Sequence, residues 1–161
     1  GNDLGNLLNR VVAMVGRYRD GAIPTPSETG EPEAALQAVA AEAMRASAAN
    51  IENWELNVAL ESIWVLVRRV NQYLEERKPW QLAKDPEKAG LLDTTLWSAA
   101  EATRIAALLL APFIPQTSDR INDQLGLDAI QAGDLVAKSG WGSIAFGSVR
   151  PQGPLFPKWE E

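Results

Sequence analysis

The chain has 161 residues, a formal charge of −6 from 21 acidic and 15 basic residues, and neither histidine nor cysteine. That length suits one ordinary domain that buries a proper core without disulfides or metals. The missing residue types exclude a Ser-His-Asp triad, a Cys-His pair and any metal site ligated by His or Cys.

The acidic balance argues against a protein that coats phosphates with many Lys and Arg side chains. Contact with a polynucleotide is therefore expected to be local and led by bases. The longest apolar run, IAALLLAPFI from Ile105 to Ile114, is too short to span a bilayer and contains a proline. With no secretory leader in view, the sequence reads as a soluble cytoplasmic protein.

In chain order, the first helix is predicted from about Asp3 to Asp20, with Gly21 as its stop. Its apolar residues Leu4, Leu7, Leu8, Val11, Val15 and Tyr18 follow helical spacing. The Pro- and Gly-rich stretch from Gly21 to Pro32 reads as a loop. An Ala-rich second helix follows over about Glu33 to Asn50. The third, capped by Asn53, runs from Glu55 to Arg77 with Leu60, Ile63, Trp64, Val67, Val70 and Leu74 on one face.

Pro79 then breaks the pattern and holds Trp80 on a short connector. The fourth helix opens in Asp85-Pro86-Glu87, a cap followed by proline, and reaches about Ala111. Pro112 and Pro115 end it, and a fifth spans about Gln116 to Leu125 before Gly126. Between Leu127 and Lys138 there is room for one more short helix, and from Ser139 the chain reads as irregular. The expectation is an all-α bundle of about five helices over residues 1–127, followed by a short helix and an irregular tail over 128–161.

Four features within this frame could carry chemistry. Asn6, Asn9, Arg10, Ala13 and Arg17 form one stripe on the first helix, opposite its apolar face. Asn6 and Arg10 are four apart and therefore neighbours. An amide beside a guanidinium reads base edges and phosphates well, and a solvated helix face is the plain alternative. Trp80 either tucks back onto the bundle or offers a face on which an unpaired base stacks. Asn71 falls on the apolar side of the third helix, where a buried amide needs partners, and is expected to bond the loop that carries Pro79 and Trp80. Lys78 and Lys84 flank that loop. No carboxylate pair or glycine-rich phosphate loop supports catalysis or metal binding by this chain, so neither a catalytic nor a metal site is assigned.

Three stretches carry a resemblance: Asp3 to Arg10 (DLGNLLNR), Asn71 to Lys84 (NQYLEERKPWQLAK) and Leu108 to Pro115 (LLLAPFIP). In this order and spacing they resemble the anticodon-binding helical domain of methionyl-tRNA synthetases. The resemblance extends loosely into Pro154 to Pro157. It implies a class I synthetase anticodon-binding bundle in which Asn6, Arg10, Pro79 and Trp80 recognise the CAU anticodon of methionine tRNA. Asn9, Arg17, Asn71, Lys78 and Lys84 are supporting candidates.

The resemblance further implies a piece of a longer methionine–tRNA ligase. Its catalytic domain would use ATP and Mg, whereas this chain itself would need no cofactor and would bind neither DNA nor membrane. The family's catalytic signatures are absent from the sequence. The tail, with Leu155, Phe156 and Trp159, would return towards the catalytic domain and is expected to be mobile or held by crystal packing without it. Two alternatives stay open: a module of the related isoleucine, valine, leucine or cysteine enzymes, and a helical protein-interaction module with no RNA role.

Overall fold

A computed structural model describes residues 2–152. The five predicted long helices are all present: α1 (Asn2–Arg19), α2 (Glu31–Glu52), α3 (Leu56–Arg77), α5 (Ala89–Leu110) and α6 (Pro115–Gln124). Two single-turn helices join them, α4 (Pro79–Leu82) and α7 (Asp134–Ala137), together with a 3-10 turn over Pro86–Lys88. Among the described residues no strand forms, and no helix is long and apolar enough to cross a membrane. The expectations about Leu155, Phe156, Trp159 and the Pro154–Pro157 stretch lie outside the described residues.

α5 is the central rod. It is buried on every side from Ser98 to Leu110 and packs against α1, α2, α3 and α6. A helix buried all round belongs at the middle of a bundle, whereas α1 and α3 each bury one face. From α1 the core takes Leu4, Leu7, Leu8, Val11 and Val15, and from α3 Ile63, Leu66, Val67, Val70, Tyr73 and Leu74.

Helix boundaries differ from the sequence reading in three instructive places. α2 begins two residues early, because proline is tolerated in a first turn and Pro32 sits there. The Glu33 carboxylate reaches back to accept from the Gly30 N–H at 2.8 Å. Asn53 closes α2 rather than opening α3, whose first residue follows Glu55. The loop after α3 is not extended: Lys78 turns into the left-handed region at φ 52°, and Pro79 starts the single turn α4. Proline disfavours the right-handed helical region for the residue before it, and the left-handed turn lets the chain change direction within one residue.

One ion cluster fixes that corner. Glu33 is buried and accepts from the Tyr73 hydroxyl at 2.5 Å and from Arg77 Nε and Nη2 at 2.9 and 2.6 Å. The first turn of α2 is thereby clasped to the last turn of α3, directly ahead of Lys78. Burial works against ionisation of Glu33, but the bonds from Arg77, Tyr73 and Gly30 outweigh it and hold the carboxyl below its usual range. Burial, reinforced by the Glu33 charge, pushes the Tyr73 phenol up.

The segment after α6 folds back onto the bundle. Gly126, at φ 79°, reverses the chain so closely to Ser148 that a Cβ there would lie 2.0 Å from the Ser148 carbonyl oxygen. Inside α5 the buried Glu101 and Arg104 pair at 2.6 Å. They then reach outward: Arg104 donates to the carbonyls of Lys138 and Gly140, and Glu101 accepts from the Gly142 N–H. Trp141 packs edge-on against Trp97 at 5.7 Å. Ala22 and Ser148 form an antiparallel bridge that ties this segment to the end of α1.

Candidate nucleic-acid interface

The polar stripe of α1 faces a matching stripe on α3 across an open cleft of about 650 Å³. α1 contributes Asp3, Asn6, Asn9 and Arg10, and α3 contributes Arg68, Asn71, Gln72 and Glu75. Each set follows helical spacing, so each helix presents one stripe to the cleft while its other face enters the core.

Arg10 is the fixed point. Its Nη1 donates to Asn71 Oδ1 at 3.1 Å and its Nη2 to Glu75 Oε1 at 2.9 Å. Asn71 Nδ2 in turn donates to the Val67 carbonyl at 3.4 Å, which sets the amide so that its oxygen faces Arg10. The expected role of Asn71 is corrected by this geometry: it holds the guanidinium of α1, not the Pro79–Trp80 loop. Two donors of the planar fork are engaged, and the rest of the half-exposed group faces the cleft. Two carboxylates, Asp3 and Glu75, balance two guanidiniums, Arg10 and Arg68, so the lining is formally neutral. Amides and paired charges suit the donor and acceptor edges of bases better than a row of phosphates.

The structure brings Asn6, Asn9, Arg10 and Asn71 together in this cleft, while Pro79 and Trp80 lie beyond its lining, past the end of α3. Pro79 is buried at the first position of α4. Trp80 is half-buried and is absent from both the core and the part-buried side chains packed on it. Leu82, two residues on, takes that packing place instead. Arg17, Lys78 and Lys84 are exposed and stand outside the cleft.

Glu75, Arg68, Gln72 and Asp3 were not singled out from sequence. The signal existed on α3, because positions 68, 71, 72 and 75 form one stripe at helical spacing.

Residues 23–144 match the family described as the anticodon binding domain of methionyl tRNA ligase. The chain belongs to that family. It is 40% identical over 162 residues to the methionine–tRNA ligase of Bacillus subtilis, covering 99% of this chain and 24% of that protein. It is 41% identical over 165 residues to that of Deinococcus radiodurans, covering 99% of this chain and 23% of that one.

Among solved structures, the free methionyl-tRNA synthetase of Mycobacterium tuberculosis matches with a TM-score of 0.89 at 31% identity. That match covers 99% of this chain and 32% of the other. The same protein bound by methionyl-adenylate matches with a TM-score of 0.84 at 32% identity, covering 97% and 31% respectively. The chain thus spans about a quarter of the length of the curated relatives it matches.

Proposed function

We propose that this domain binds the anticodon loop of methionine tRNA and reads its CAU triplet, as part of a longer enzyme that attaches methionine to that tRNA in the cytoplasm. Activation of methionine with ATP and Mg belongs to the remainder of that enzyme, and this chain contributes RNA binding alone. One observation carries the reading: Arg10 is fixed by Asn71 and Glu75 in an amide-lined, charge-balanced cleft. Such a group gains specificity because little side-chain entropy is lost when it meets a base edge. Trp80, off the core at the corner after α3, offers a face for a splayed base. The net charge of −6 fits a site that works through a few bases rather than a coat of phosphate contacts.

The test is a titration of the domain with a methionine anticodon stem-loop and with loops changed at each anticodon base, followed by NMR. Shift changes should gather on the α1–α3 cleft and α4, with the CAU loop bound most tightly. Trp80→Ala should lose about 1–3 kcal/mol of binding and leave the thermal midpoint unchanged. Equal affinity for all loops, or a Trp80→Ala variant that binds as well as the parent chain, would overturn the reading.

A further inference from the structure

Resting on that reading, we propose that Arg68 is the phosphate anchor of the cleft, a contact separate from the base-reading work of Arg10. The two cleft guanidiniums are held very differently. Arg10 is tied to two groups that themselves line the cleft, one of them an amide fixed to its own helix. Arg68 is more than half exposed, and its Nη2 donates at 2.7 Å to Glu61, which is itself exposed and lies outside the cleft lining. An exposed ion pair of this kind contributes little and exchanges readily. Arg68 can therefore leave Glu61 for a stronger, bidentate acceptor at no structural cost, and a phosphate is the natural one.

Position along α3 supports the same assignment. Arg68 and Glu75 stand seven residues apart, two turns or roughly 10 Å along the helix. The cleft wall thus carries a carboxylate at one end, the Asn71 and Gln72 amides in the middle and an available guanidinium at the other end. Glu75 is already paired with Arg10 at 2.9 Å, so that end of the wall has no free cation to offer a phosphate. A loop laid with its base edges on the amides must place its backbone charge elsewhere, and on this wall only the Arg68 end favours it.

The experiment measures affinity for the CAU stem-loop and for one loop with a changed first anticodon base, each between about 50 and 200 mM salt. Wild type, Arg68→Ala, Arg68→Lys and Arg10→Ala are compared. Arg68→Ala should weaken both loops by the same factor, roughly fivefold at the lowest salt, and reduce the slope of log affinity against log salt by about 0.7–1. Arg68→Lys should restore the slope, because a phosphate contact needs the charge. Arg10→Ala should narrow the difference between the loops.

An unchanged slope in Arg68→Ala overturns the assignment and leaves the base-reading proposal standing. A changed preference between loops without a change in slope also overturns it, by making Arg68 a base reader. If wild type binds both loops equally while Arg68→Ala still lowers the slope, the phosphate contact stands and the anticodon reading falls.

Discussion

Arg10 takes its orientation from groups on another helix, and that dependence can be measured. Without the Asn71 amide, Arg10 keeps only its bond to Glu75, and the fork can swing. Asn71→Ala should therefore weaken binding of the CAU stem-loop even if Asn71 never touches RNA. In a double-mutant cycle with Arg10→Ala, the two losses should fall short of additivity by about 0.5–3 kcal/mol; additive losses would mean that the residues act separately. The α1 stripe was legible in the sequence because the helical period fixes which residues share a face. Arg10's partner was not, since periodicity within one helix says nothing of which helix packs opposite. Asn71 was picked out as an amide on an apolar face, but it lies half-buried on the polar stripe of α3, and its partner is Arg10.

The Glu33 clasp holds the end of α3 immediately before the corner into α4. Pro79 announces that α3 must stop, and that much could be read directly. The left-handed turn at Lys78 and the single turn of α4 could not, because four residues are too few to show a period. Glu33→Ala leaves the part-buried Arg77 and the buried Tyr73 hydroxyl without their acceptor and should cost about 3–5 kcal/mol, measured by urea unfolding. The clasp also sets a pH dependence. The folded-state carboxyl lies below its usual value of 4.5, so its contribution is complete above that pH and is lost as the pH falls through the folded value. Urea midpoints taken between pH 3 and 7 should therefore drop more steeply at the acid end in the parent chain than in Glu33→Gln. Parallel curves would remove the clasp from the account of acid stability.

Across the whole molecule, the bundle and its C-terminal return are joined through the interior of α5. Glycine and proline content marked the stretch after Ser139 as irregular, which the described part is. What composition could not reveal is that Glu101 and Arg104 reach that stretch from a helix buried on every side. Glu101→Gln leaves an uncompensated guanidinium in the core and should cost about 3–5 kcal/mol. Limited proteolysis should then cut between residues 138 and 148, while α1 to α3 stay resistant; cleavage spread evenly over the chain would argue against this anchor. The Glu33–Arg77 clasp has a similar reach, with a meaning for sequence drift and for redesign. Residues 33 and 77 are forty-four positions apart, and a change that removes either charge leaves the other without its partner. Redesign of the α3–α4 corner can therefore start from the opening turn of α2, where Glu33 holds Arg77 one residue ahead of Lys78.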